Sequence, residues 1–171
     1  VQNPFAFDAS AQSPNVALSL SLEGGFSKVL ERHHGKRKRK RQRNHMRKLE
    51  PLGKVEILQQ VPCEDVRDVL GSFFEMKADR FKEQGICDVF KEHHVREMFA
   101  QLFLESCDSN HPKHVLKAIK LDGKVISVAG CTIHRGRITV EFGTFDSRYA
   151  ACGPGDTLFY NAIENACEDG L

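Results

Sequence analysis

At 171 residues and 19.3 kDa the chain is long enough to bury one sizeable core and too short for two full domains. Hydrophobic residues at 40% and charged residues at 28% exclude a disordered or collagen-like chain, and no stretch reaches the ~18–20 apolar residues of a membrane-spanning helix. The net charge of +2 conceals nine Lys or Arg and no acid between Lys36 and Lys48, outside which 16 basic residues face 23 acidic ones. The net charge therefore does not mark a generally nucleic-acid-binding protein, and the basic run needs a local explanation.

Residues 1–15 carry two prolines and no periodicity, which predicts an irregular lead-in, extending with a possible short strand to residue 25. That strand is Val16–Leu22, whose residues alternate apolar and polar before Gly24 and Gly25 end it. Ser27 to Glu50 reads as helix with a weak point at Gly35, stopped by Pro51 and Gly53. Lys54 to Val61 is strand-like and closes at Pro62. From Glu64 onward Val66, Val69, Leu70, Phe73, Phe74, Lys77 and Phe81 fall at helical spacing, so one apolar stripe faces a core until Gly85. A second amphipathic helix carries Val95, Met98, Phe99, Leu102 and Phe103 and ends near Ser106.

His114–Leu121, the Asp122-Gly123 turn and Lys124–Ile133 form the strongest hairpin signal, because Asp-Gly accepts the positive φ of a type I′ turn. A third strand follows across Arg135-Gly136, from about Arg137 to Phe145. Regular alternation puts Ile138, Val140 and Phe142 on one side and Thr139, Glu141 and Gly143 on the other. The connection DSRYAACGPG leads to a helix from about Asp156 to Asp169, with Gly170 as its C′ residue. The order predicts an α/β (α+β) fold, a mostly antiparallel central sheet flanked by helices. A further strand is expected after Leu171, so the chain reads as truncated at its C-terminus.

Six cysteines, Cys63, Cys87, Cys107, Cys131, Cys152 and Cys167, include no CxxC pair and are expected to be reduced and mostly buried. The N-terminus has no basic region followed by an apolar run, so the cytoplasm is the default compartment. His33-His34 and His93-His94 do not match HExxH, and no metal is expected; GxSxG, Walker and GxGxxG motifs are absent as well.

The most informative segment is YAACGPGDTLFYNAIENA. A helix N-terminus offers free N–H groups and partial positive charge, and glycines let an anion approach the backbone. Pro154, without an N–H, and the acid Asp156 count against an anion there. Taken with RKLEPLGKVEI, FFEMKADRFKEQG, KAIKLDGKVISVAG and FDSRYAACGPGDTLFYNAIENACEDGL, however, this segment resembles the GNAT acyltransferase superfamily. More closely, it resembles the CelD-like acetyltransferases of cellulose and exopolysaccharide biosynthesis. The resemblance spans residues 26–171, within which 36–48 is the basic helical segment.

The resemblance implies transfer of an acetyl or other acyl group from acyl-CoA to an amine or hydroxyl acceptor. It implies that the pantetheine arm pairs with the strand before the loop and that the loop holds the pyrophosphate. The acyl-CoA set so implied is Gly143, Thr144, Phe145, Ala151, Cys152, Gly153, Gly155, Asp156 and Thr157. Glu141, the one carboxylate within that strand, is the candidate general base; Asp146 and His134, at strand ends, are weaker candidates. The basic run reads either as a solvated helix face or as an electrostatic feature for a polyanion, nucleic acid or anionic membrane surface. Without interleaved aromatics, it cannot stack bases. Two other functions fit the residues: a noncatalytic anion- or nucleic-acid-binding module built on the basic helix, and a FemAB-type aminoacyl transferase.

Overall fold

The computed structural model describes residues 18–107, 109 and 111–171. The expected lead-in at 1–15 and the first residues of the Val16–Leu22 strand lie outside them, while 18–22 is not strand. The elements are α1 (Gly25–Arg32), α2 (Gly35–Leu49), β1 (Val55–Leu58), α3 (Val66–Gln84), α4 (His93–Cys107), β2 (His114–Leu121), β3 (Lys124–His134), β4 (Arg137–Phe145), a 3-10 segment (Ser147–Cys152) and α5 (Pro154–Glu168). The strands form one antiparallel sheet in the order β1-β2-β3-β4. The Asp122-Gly123 turn takes the positive φ values a type I′ turn requires (48° and 77°).

The expected helix over 27–50 is broken two residues before Gly35 ends the gap, with His34 in the left-handed region (φ 59°), so α1 and α2 form a helical hairpin. The break is tight because a Cβ on Gly35 would lie 2.8 Å from the Leu30 carbonyl oxygen. α5 begins at Pro154, two residues earlier than expected, since proline at the first helical position loses no hydrogen bond. At its other end Leu171 N–H donates to the Ala166 carbonyl and Gly170 N–H to that of Cys167, a Schellman cap.

Alternation along the strands divides the core. On one face Leu116, Ala118 and Val128 meet α3 and α4, where Phe73, Phe99, Phe103 and Phe142 pack ring on ring with centroids 4.6–5.9 Å apart. On the other, Ile119, Leu121, Ile126 and Ala129 meet Leu49 of α2 and Leu158 of α5. Lys117 is buried on this second face, and its Nζ donates to the Gln59 carbonyl (2.8 Å) and Asn165 Oδ1 (2.7 Å), tying α5 to the sheet. Burial pushes its pKa down.

Two expectations are corrected. The cysteines are not all reduced: Cys63 and Cys107 form a disulfide joining the residues before α3 to the end of α4. Of the others Cys131 is buried, Cys152 and Cys167 are half-buried, and Cys87 is exposed. Spacing rules for CxxC pairs are blind to a partner 44 positions away. The regular alternation of the third strand also fails. Gly130 pairs with Phe142 but Cys131 with Val140, so Glu141 is the extra residue of a β-bulge. Neighbouring residues of β3 face opposite ways, so their partners Val140 and Phe142 do too, and Phe142 enters the phenylalanine cluster while Val140 stays partly exposed.

Candidate functional site

The C-terminal end of β4 and the N-terminus of α5 enclose a cleft of about 330 Å³. Small residues create it. Gly143 pairs with Ala129 and Phe145 with Ser127, so the sheet surface is low where α5 begins. Gly143, Thr144, Phe145, Gly153, Gly155 and Asp156, six of the nine residues the resemblance implied for acyl-CoA, line the cleft. Ala151, Cys152 and Thr157 do not line it: Ala151 is exposed, Cys152 packs beside Leu49, and Thr157 is fully buried.

The helix start supplies the donors. Thr157 N–H is taken by the Gly153 carbonyl (3.0 Å) and Gly153 N–H by that of Ala150 (3.1 Å), while Pro154 has none. The amides of Gly155 and Asp156, at the second and third helical positions, have no acceptor within the helix and carry its positive end. A Cβ on Gly155 would sit 3.1 Å from the Phe145 ring, so glycine keeps this approach open. The hydroxyls of Thr144, which lines the cleft, and of Thr157, which does not, are buried with no hydrogen-bond partner among the described residues.

Asp156 is less adverse to an anion than its charge suggests, because Arg41 of α2 is ion-paired with it. The basic helix is thus not a separate feature. Arg41, His45 and Lys48 recur at helical spacing along one side of α2 and meet the loop: Lys48 Nζ donates to the Ala151 carbonyl (2.8 Å), and the His45 ring fills the space beside Gly153. Gly153 is left-handed (φ 63°), and a Cβ there would lie 2.5 Å from that ring. Burial lowers the His45 pKa, with Arg41 and Lys48 adding to the effect against Asp156.

Sequence reasoning missed Arg80. It stands two helical turns after Phe73, on the same side of α3, and its guanidinium lies 6.0 Å from the Phe145 ring centroid as part of the cleft wall. The i, i+7 spacing was the available signal.

Glu141 does not line the cleft. It is exposed at the bulge two residues upstream, near enough to Cys131 to add its charge to the burial that pushes that thiol up to about 11. Asp146 is buried at the head of the 3-10 segment, where it accepts from the Arg148 backbone (3.1 Å) and Arg148 Nε (2.9 Å); the guanidinium holds its pKa down. That makes Asp146 a cap. His134 is exposed at the end of β3, beside the Arg135-Gly136 turn and paired with Arg137 at the start of β4, far along the strand from the cleft.

With this geometry in view, residues 36–171 match the family described as "Acetyltransferase (GNAT) domain". The chain belongs to that family. Acyl transfer from acyl-CoA is accordingly its class of activity. Among solved structures, PaiA N-acetyltransferase from Thermoplasma acidophilum, in complex with coenzyme A, aligns with a TM-score of 0.54 and 16% identity over 69% of this chain and 75% of that one, a likeness of fold. Among curated proteins no match is found. α1 precedes the matched residues. No helix among the described residues is long and apolar enough to cross a membrane.

Proposed function

We propose that this GNAT domain transfers an acetyl or other acyl group from acyl-CoA to an amine or hydroxyl acceptor, with the donor's phosphates at the start of α5. The observation that carries this reading is the pair of acceptor-free amides, Gly155 and Asp156, opening onto the β4–α5 cleft with Arg80 opposite and Arg41 neutralising Asp156. The pantetheine arm extends from there along β4, whose backbone N–H groups polarise the thioester carbonyl and stabilise the oxyanion that forms on attack. The bulge bends β4 where that carbonyl arrives. Glu141, at the bulge, removes the proton from the attacking nitrogen or oxygen, directly or through one water. The C–S bond then breaks and CoA leaves as the thiol. The CelD-like resemblance favours an acceptor on a sugar of a polysaccharide precursor.

The cleft binds a donor of stated chemistry, so the test is a thermal-unfolding screen of the full chain with acetyl-CoA, longer acyl-CoAs, free CoA and tRNA. A CoA species at ~100 times its Kd adds about 2.7 kcal/mol of stability. Stabilisation by tRNA with none by any CoA species would overturn the reading in favour of aminoacyl transfer.

A further inference from the structure

A second cavity, of about 400 Å³, lies between α1, α2 and α5. Seven of its lining residues lie before position 36, where the family match begins. Its apolar lining includes Phe26, Val29, Leu30, Tyr160 and Ile163, with Phe26 and Tyr160 edge to face at 5.1 Å. Its polar lining holds the cations Arg32, Lys38 and Arg41 beside Gln42 and three histidines. Among the described residues Asp156 is the one carboxylate of the lining, and Arg41 already pairs with it. Arg32 is also committed, donating to the carbonyls of Ser21 (2.8 Å) and Glu23 (2.9 Å) and so fastening the chain before α1. Lys38, with no ion pair among the described residues, is left as the cation at the rim of an apolar pocket whose volume is ordinary for a small ligand.

We propose that this cavity binds a small amphipathic anion, an apolar body bearing one phosphate or carboxylate, and that its occupancy weakens binding in the acyl-CoA cleft. The apolar floor takes the body and Lys38 the head group, since burial against hydrocarbon and a charge-assisted hydrogen bond reward different ends of one molecule. The link is Asp156, which with Phe159 lines both cavities. An anion seated beside Arg41 competes with Asp156 for the guanidinium. Asp156, once unpaired, repels the donor's phosphates. Only this coupling rests on the acyl-CoA reading; binding to the cavity does not.

The experiment is calorimetric titration of the full chain with AMP and with decanoate, each against its neutral counterpart, adenosine or decanol. AMP tests a ring and decanoate a chain. At least one anion is expected to bind at least roughly tenfold more tightly than its neutral partner, the equivalent of one charge-assisted hydrogen bond. Lys38→Glu should remove that preference, and Ile163→Trp, which fills the cavity, should abolish binding while circular dichroism stays unchanged. Repeating the titration at rising CoA concentration should raise the apparent Kd by about fivefold and then level off, with the reciprocal effect on CoA. Binding of neither anion, or equal binding of neutral and charged probes, or binding unaffected by both variants, overturns the site. An apparent Kd that rises without limit means that CoA occupies the same cavity, and a Kd indifferent to CoA removes the coupling. A chain that binds the anions but no CoA species leaves the cavity standing and refutes the acyl-CoA reading instead.

Discussion

Replacing Gly155 by valine separates binding from folding at the candidate site. Gly155 is helical, so the substitution carries no left-handed penalty, and leaving glycine for a residue with a Cβ recovers up to about 0.5 kcal/mol of helix propensity. The new Cβ lies 3.1 Å from Phe145 Cδ1, which needs a shift of a few tenths of an ångström, and the valine methyls then stand over the amides of Gly155 and Asp156. Hydrogen bonds to a charged partner contribute about 1.5–3 kcal/mol each, so losing two removes at least about 3 kcal/mol and raises the Kd for CoA at least roughly 150-fold. Calorimetric titration with CoA measures the affinity, and urea unfolding the stability, which should stay within about 1 kcal/mol of the wild type. Gly155→Ala, with its single methyl against Phe145, should lose far less affinity. A folded Gly155→Val protein whose Kd stays within about threefold of the wild type would refute the placement of the phosphates on this helix start.

Glu141→Gln should lower kcat by ~10²–10⁴ with CoA affinity unchanged, and steady-state kinetics showing near-normal kcat at every pH would leave Glu141 a plain bulge residue. Replacing Cys63 and Cys107 together by serine opens a loop of 44 residues and should cost about 4 kcal/mol, or roughly 8–16 °C in melting temperature; a melt unmoved by the double change would exclude the disulfide's contribution. His45 has a folded pKa below its ordinary 6.5, so the unfolded chain binds its proton first; the stability this confers is full above about pH 6.5 and falls as pH drops through the folded value. His45→Gln should flatten that part of the stability–pH curve in urea titrations, and an unaltered slope would show the acid sensitivity to come from elsewhere.

Much of the fold is legible because its elements carry their own punctuation. Gly85 in the left-handed region closes α3, Asp122-Gly123 turns β2 into β3, and Gly170 caps α5. Of the cleft's glycines, Gly153 and Gly155 stand where a side chain would meet the rings of His45 and Phe145, whereas the set as a whole came from the family resemblance. What was not legible depends on distance in sequence. Arg41 reaches Asp156 across 115 positions and Cys63 finds Cys107 across 44, and no local pattern encodes either partner. The solvated appearance of the basic run concealed the side formed by Arg41, His45 and Lys48 because basic residues stand on every side of α2, leaving no contrast to read. The bulge at Glu141 was hidden because Ile-x-Val-x-Phe satisfies a period of two whether or not one residue is skipped.

That skipped residue changes which mutations β4 can absorb. Removing one residue from a paired strand ordinarily reverses the facing of everything on one side of the cut. Here excision of Glu141 would place Val140 directly next to Phe142, opposite Cys131 and Gly130 where they already pair, and every other partnership in the ladder would stand. The codon for Glu141 is thus a point in the strand at which a one-residue deletion spares the core and straightens the backbone. Such a deletion would keep the scaffold while withdrawing, in one event, both the bend and the carboxylate.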